Sequence, residues 1–403
     1  MKFSHIADCH IGGWRDPKLK ELNTLAFFRA IEISIKENVD FVLIAGDLFN
    51  TALPGIDKLK DVVKKFKELH VKNIPVYLIP GSHDFSPSGK TMLDVLEEAG
   101  LCVNVVKGET INGKLKLKFT IDKKTGAKIT GMLGRRGMLE RSYYEDLDRT
   151  NLENETGFKI FLFHTSITEL KPEKMDKMES SPISLLPKNF DYYAGGHVHI
   201  VEKINLPGYK NVVYPGPLFP NSFSELEELK GGGFYIYDNG ELIRHDTTIK
   251  NIITLNVDCN NKNPQSITAN ILIELEKNEL NDKIILFRLH GQIESGKLSE
   301  IDYRQIYDFC YNKNAYFVMR NTAKLKTKEY DEVKIEAKSS NDVESELISE
   351  HIGQIKVDNW DIDTEKSMIN SLMTILSQEK NDGEKVYEFE ERIKNELKDI
   401  LEI

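Results

Sequence analysis

Residues 40–50, DFVLIAGDLFN, carry five consecutive apolar residues that stop at a Gly-Asp pair. A short run of this kind, cut off by glycine, predicts a strand, with Asp47 directly after its carboxyl end. The same form recurs along the chain. KFSHIADCH (2–10) ends on Asp8 and His10, IPVYLIPGSHD (74–84) on Ser82, His83 and Asp84, KIFLFH (159–164) on His164, and DYYAGGHVH (191–199) on His197 and His199. Helical patterns over 24–37 and 58–70 separate the early runs, the second with Leu59, Val62, Val63, Phe66 and Leu69 on one face. NVVYPG (211–216) and GFYIYD (233–238) give two more strands. Strands alternating with helices predict an α/β sheet protein.

In open α/β sheets, ligands collect beyond the carboxyl ends of the strands. Here that edge is filled with metal-ligating side chains, and five of the ten histidines directly follow apolar runs. Residues two apart in extended chain point the same way, so Asp8 and His10 can share a metal while Cys9 faces elsewhere. The same holds for His197 and His199, and Gly195 and Gly196 let the backbone approach closely before them. Carboxylates mixed with imidazoles suit manganese, iron or zinc better than calcium. About seven candidate ligands favour two ions roughly 3.5 to 4 Å apart, the arrangement used for phosphoester hydrolysis. Each piece alone has a blander explanation, since DxH occurs by chance, Gly-Asp can be only a turn and a lone histidine is more often buried structure. The set in this order favours the metal. His5 precedes its strand end and is read as a structural, buried side chain.

A chain of 403 residues predicts two or three domains with at least one substantial core. No apolar run approaches the roughly 18 residues of a membrane span, and the start MKFSHIADCH lacks a signal peptide's apolar core. Cys9, Cys102, Cys259 and Cys310 form no CxxC pair, which fits a reducing compartment and a cytoplasmic location. The net charge of −10 argues against a nucleic-acid ligand only until its distribution is read, because residues from 356 onward hold −6 of it. Residues 113–137 instead carry eight basic residues against Asp122 alone. Lys114, Lys116 and Lys118 alternate there with Leu115, Leu117 and Phe119, and Arg135 and Arg136 follow. Such a face either tracks phosphates or protects an edge strand.

Beyond about residue 251, IITLNVDC and KIILFRLHG read as strands, and SITANILIELEKNEL and EIDYRQIYDFCYN as helices, together a small second domain over 251–320. Residues 321–355 read as a charged connector with a short helical pattern near 343–352. The tail, 356–403, holds two amphipathic patterns, one with Leu372 and Leu376, the other with Phe389, Ile393 and Leu397. Their apolar stripes predict a partner surface, or a tail folded back on the body.

The motifs DCH, GDLF, GSHD, the lone His164 and GHVH, in that order, resemble the calcineurin-like metallophosphoesterases. Within them, GDLFN at 46–50 in place of a GDxxDRG form, the small second domain and the helical tail resemble the DNA double-strand break repair nucleases of the meiotic recombination eleven and SbcD type. The resemblance implies an α/β fold: a metallophosphoesterase β-sandwich flanked by helices over 1–250, an α+β capping domain that binds DNA, and a helical tail that binds an SMC-like coiled-coil ABC ATPase. It implies two manganese ions, with magnesium or another divalent ion as substitutes. Asp8, His10 and His199 would hold one, Asp47 would bridge, and His164 and His197 would hold the second. His83 would stand beside the scissile phosphate, a role suited to imidazole, with Asp84 orienting it. The family's asparagine ligand to the second metal is replaced here by Ser82, whose hydroxyl sits about one bond nearer the backbone and needs a bridging water to reach an ion. Asn50 stands where some relatives have histidine. The implied activity is 3′ to 5′ double-strand exonuclease and single-strand endonuclease action at DNA ends. A homodimer through helices 58–70 and 90–98 and nucleoid association during action are further implications. Two other readings stand beside it: a DNA-end-binding scaffold with an impaired second metal site, and a small-molecule metallophosphodiesterase.

Overall fold

The structure is a computed structural model that describes residues 1–86, 91–327 and, within 361–401, all but 379, 382, 383 and 385. Two compact units divide it, 1–328 and 329–403.

The apolar runs sort into two six-stranded sheets, as the β-sandwich implied by the family resemblance requires. The first has the order Glu241–Asp246, Gly233–Asp238, Lys2–Ile6, Phe41–Ala45, Val76–Ile79, Val103–Asn104. The second runs Val201–Leu206, Tyr209–Pro215, Tyr192–Gly196, Lys159–His164, Lys128–Gly131, Thr120–Ile121. Alternation along each strand explains why the runs are continuous. Phe41, Leu43 and Ala45 face the second sheet, where they pack with Ile160, Leu162 and Tyr192. Val42 and Ile44 face the opposite way, onto the helices Pro17–Lys36 and Ile56–Val71 through Phe27, Ile31, Val62 and Phe66. A strand covered on both sides needs apolar residues at every position. The outer face of the second sheet has its own core, including Tyr144, Phe163 and Tyr214, under the loops between 133 and 190.

Parallel pairing aligns the strand ends. Ile6 lies beside Ile44, Ala45 beside Ile79, and Gly196 beside His164. The loops that begin at residues 7, 46, 80, 165 and 197 therefore leave the two sheets at one common edge.

The first helix starts at Pro17, a full two turns before the expected 24. Its N-cap is Asp16, whose side chain accepts from the Lys18 amide, and proline at the first helical position has no amide to leave unpaired. The third expected helix, over 90–98, is seen as Met92–Glu98, capped by Thr91 in a reciprocal capping box with Asp94; residue 90 lies outside the described residues. Residues 252–326 form a parallel three-stranded sheet, Ile252–Asp258, Ile284–Gln292, Phe317–Lys326, with helices Pro264–Glu276 and Tyr303–Asn312 packed on it over Ile267, Ile271, Ile285, Phe287 and Ile306. Its other face joins the main core through Ile284 and Leu286. The last strand continues to Lys326, so residues 321–326, read from their charge as connector, are strand; the edge position next to Ile284–Gln292 exposes one side of it, which permits the lysines. The helical pattern near 343–352 lies outside the described residues.

In the second unit, helices Ile362–Leu376 and Val386–Leu401 pack on each other, joined by Gln378 to Glu396 at 2.7 Å and by Arg392 to Gln378. Leu372, Phe389, Ile393 and Leu397 are half-buried, whereas Leu376 is 65% and Tyr387 59% exposed. Among the described residues no helix is long and apolar enough to cross a membrane.

Candidate metal centre

Five of the predicted site residues occupy the left-handed region of backbone space: Asp8 (φ 50°), His10 (44°), Asp47 (51°), His197 (101°) and His199 (52°). Among the described residues, nearly all other non-glycine residues with positive φ are asparagines or aspartates in turns. Histidine there costs about 1 to 3 kcal/mol each, a strain that persists where surrounding structure over-determines it, as at functional sites. Glycines make the packing possible. A Cβ on Gly46 (φ 86°) would lie 2.2 Å from His164 Nδ1, and one on Gly196 would lie 2.2 Å from the Ala45 carbonyl oxygen.

The curled loops aim the side chains at one another. Asp8, His10 and His199 bring ligand atoms within 4.8 Å of one another, as do Asp8, Asp47 and His164, and His10, Asp47 and His83. Asp8 and Asp47 are almost fully buried. Asp8 accepts the His197 amide at 2.9 Å, and Asp47 Oδ1 accepts the His83 amide at 2.7 Å. His164 donates Nδ1–H to the Ala45 carbonyl at 2.8 Å, which leaves Nε2 as a lone pair. That Nε2 is buried and 3.2 Å from Asp47 Oδ2, yet aligned with no hydrogen-bond partner. His199 donates Nδ1–H to Glu225 at 3.0 Å, so its Nε2, 2.9 Å from His10 Nε2, is likewise a lone pair. Two carboxylates and the imidazoles of His10, His164 and His199 converging on one buried space, with His164 Nε2 left without a hydrogen-bond partner, are the form of a cation site. The donor set fits a divalent transition metal.

The titration of the groups without a cation follows from the same crowding. Burial lowers His10 to about 3, and burial together with the neighbouring His164 lowers His197 to about 3. Burial also pulls His164 down, but the Asp47 and Asp8 carboxylates outweigh it and raise the ring to about 10. Burial raises Asp8, whereas for Asp47 the facing His164 and His10 overcome burial and hold it low.

The remaining predicted residues are placed less uniformly. The His197 ring packs edge-on against His164, with centroids 5.0 Å apart, outside the three convergent sets. His83 donates Nδ1–H to the Asn50 carbonyl at 2.8 Å and lines the cleft, with Nε2 its remaining nitrogen. Asp84 does not orient His83 through its side chain. Its carboxylate accepts three backbone amides, Leu48 at 3.1 Å, Phe49 at 2.9 Å and Gly81 at 3.0 Å, and so ties the GDLF loop to the GSHD loop. Burial and Asp47 raise it to about 7 against those three bonds. The correction has a simple cause: a carboxylate one residue beyond His83 in a tight turn points back beneath the loops. Ser82 Oγ lies 3.5 Å from Asp47 Oδ2, its contact in the site. Asn50 contributes its carbonyl.

Glu225 was absent from the sequence reading. It lies at the third position of helix Phe223–Leu229, after the N-cap Ser222, and the pattern S-x-x-E at 222–225 signals such a capping carboxylate. Apolar Pro172, Met175, Met178, Val198 and Leu229, together with Glu202 and Glu228, complete a cleft of about 580 Å³.

The basic residues divide. Lys114 pairs with Asp146 at 3.8 Å and Lys118 with Glu109 at 3.1 Å, on the exposed hairpin Gly108–Ile111 and Lys114–Leu117; Lys116 is half-buried. Arg135 lies over the Phe85 ring at 4.7 Å and bonds Tyr143 Oη at 2.8 Å, next to the GSHD loop, and Arg136 is exposed. His5 is buried as expected, its ring bonded to Tyr192 Oη at 3.0 Å and the Gly195 carbonyl at 3.2 Å.

Residues 1–201 match the family described as calcineurin-like phosphoesterase. The chain is similar to a DNA double-strand break repair protein Mre11 of Methanococcus maripaludis, 29% identical over 325 residues, covering 77% of this chain and 79% of that protein. A protein of the same name from Archaeoglobus fulgidus is 28% identical over 292 residues, covering 70% and 61%. For several such archaeal relatives the match spans only half to three-fifths of their length. A solved archaeal phosphodiesterase is 14% identical with a TM-score of 0.28, covering 61% of this chain and 99% of that chain.

Proposed function

The chain belongs to the calcineurin-like phosphoesterase family through residues 1–201 and is a metal-dependent phosphodiester hydrolase; from that premise we propose that it is a manganese-dependent DNA nuclease of double-strand break repair, acting as a 3′ to 5′ exonuclease and single-strand endonuclease. The observation that carries this is the convergence of Asp8, His10, Asp47, His164 and His199 on one buried space. The names of the archaeal relatives supply the DNA. Asp8, His10 and His199 would hold one ion, Asp47 would bridge, and His164 with His197 would hold the second. Bound divalent ions supply charge stabilisation of the phosphoryl transition state and lower the pKa of water. The chain's own work is positional. His83, steered by the Asn50 carbonyl, presents Nε2 to the cleft and, when the ring carries both protons, can give the Nε2 proton to the leaving oxygen. Asp84 keeps the two loops that carry Asp47 and His83 in register.

We assign phosphate contacts to Lys114, Lys116, Lys118, Arg135 and Arg136, of which Arg135 and Arg136 are adjacent to the GSHD loop. Residues 251–320 are assigned as the capping domain, 356–403 as the docking tail for a coiled-coil ABC ATPase through Leu372, Leu376, Phe389, Ile393 and Leu397. The exposed Ile56 and Val95 support a homodimer through the helices that carry them. Ser82 favours a second reading. Its hydroxyl faces Asp47 at 3.5 Å on a side chain shorter than the family's asparagine, so an end-binding scaffold with a weak second site is the competitor.

Incubation with labelled duplex, hairpin DNA and small phosphodiesters, in manganese and in magnesium, separates these. We expect manganese-dependent release of nucleotides from duplex ends and nicking of the hairpin. Cleavage of small diesters alone would defeat the nuclease reading, and tight DNA binding without cleavage would favour the scaffold.

A further inference from the structure

We infer that Glu225 is a positioning residue for the metal centre, fixing the tautomer and orientation of His199, an inference that rests on the metal reading of the site. Its carboxylate is shared between two tasks. Oε2 accepts Nδ1–H of His199 at 3.0 Å and the Asn221 amide at 2.9 Å, and Oε1 accepts the Ser222 hydroxyl at 3.2 Å. A capping carboxylate needs only backbone and N-cap partners. The bond to His199, made across 26 residues of chain, is surplus to that need.

The surplus bond has a definite chemical effect. Neutral imidazole carries one proton, and a carboxylate acceptor at Nδ1 holds it there, so that Nε2 is the lone pair presented toward His10 and Asp8. The ring is also held against the strain of its left-handed backbone. The helix that carries Glu225 is itself fixed. Two residues on, Glu227 accepts Arg288 Nε at 2.8 Å and Nη2 at 2.6 Å, and the guanidinium lies over the Phe223 ring at 5.1 Å. Arg288 belongs to the central strand of the small three-stranded sheet. The placement of His199 is thus secured by a helix clamped from a different part of the fold.

Calorimetric manganese titration of the full chain tests this, with metal-free melting measured alongside. Glu225→Ala should lower affinity about 10- to 100-fold. Glu225→Gln, which keeps a carbonyl oxygen for Nδ1–H, should stay within about threefold of wild type. Ser222→Ala weakens the helix cap but spares the His199 bond, so it should lower the melting temperature and leave affinity within about threefold; the exposed Ser224→Ala should change neither. Wild-type affinity in Glu225→Ala would overturn the inference, as would an equal affinity loss in Ser222→Ala, which would reduce Glu225 to a helix cap. A wild-type chain that binds no manganese would overturn the metal reading and this inference with it.

Discussion

At the scale of single residues, one side chain separates the enzyme from the scaffold. In the proposed two-ion site a longer amide at Ser82 would serve as a ligand to the second ion, and the Ser82 hydroxyl lies 3.5 Å from Asp47. Ser82→Asn is predicted to raise second-ion affinity and cleavage rate together, by about tenfold or roughly 1.4 kcal/mol, with DNA affinity little changed. Metal content, DNA binding and rate measured on both proteins check this; equal occupancy and rate would mean that water already replaces the missing carbonyl. His5 gives a prediction about acid stability. Burial, opposed by the Gly195 carbonyl, lowers its pKa from 6.5 to about 3. The unfolded chain therefore binds a proton on His5 that the folded chain refuses, so stability conferred by the neutral ring is complete above pH 6.5 and is lost as pH falls toward 3. The loss amounts to roughly 5 kcal/mol at most. Urea unfolding at several pH values should show wild type and His5→Gln converging in stability as the pH falls through that window, and a pH-independent difference would contradict the assignment.

At the scale of elements, the site depends on strand ends brought level. Phe41 opens the strand that delivers Asp47, and its ring stacks on Phe3 at 5.0 Å and meets Tyr77 edge-on at 5.7 Å. Phe41→Ala is predicted to cost about 3 to 5 kcal/mol, read as a shift in the denaturant midpoint with an unchanged m-value. The ligand-bearing strands were legible because each is covered on both sides and so written in unbroken apolar residues, with the functional residue directly after. Their division between two sheets was legible only through the family resemblance, because a buried run has the same form in either sheet and pairing is set at long range. The Pro17 start of the first helix was present in the sequence as Asp16-Pro17, an N-cap signal followed by Leu19, Leu22 and Ala26 at helical spacing. The role of Asp84 in orienting His83 came from the family resemblance alone, whereas the turn sends its carboxylate to three amides. Glu225 was readable as a cap but not as a partner of His199, a contact only the folded chain creates.

At the scale of the whole molecule, the proposed function puts chemistry and assembly in separate segments. Every proposed metal ligand lies between Asp8 and His199, whereas the second unit offers the exposed Leu376 and Tyr387 on an amphipathic pair. Deletion of residues 357–403 is predicted to abolish co-purification with the ATPase while leaving manganese affinity unchanged; retained association would remove the partner from the tail. The central claim is that the carboxylate and histidine cluster hydrolyses DNA through bound metal. Asp47 stands in two of the three ligand sets and also holds the His83 amide. The most direct measurement is therefore manganese-dependent nucleotide release from an end-labelled duplex by wild type and by Asp47→Asn side by side. The account predicts release by wild type that stops with chelator and falls at least about 10³-fold in Asp47→Asn. Release that persists in the variant, or that proceeds without added metal, would contradict it.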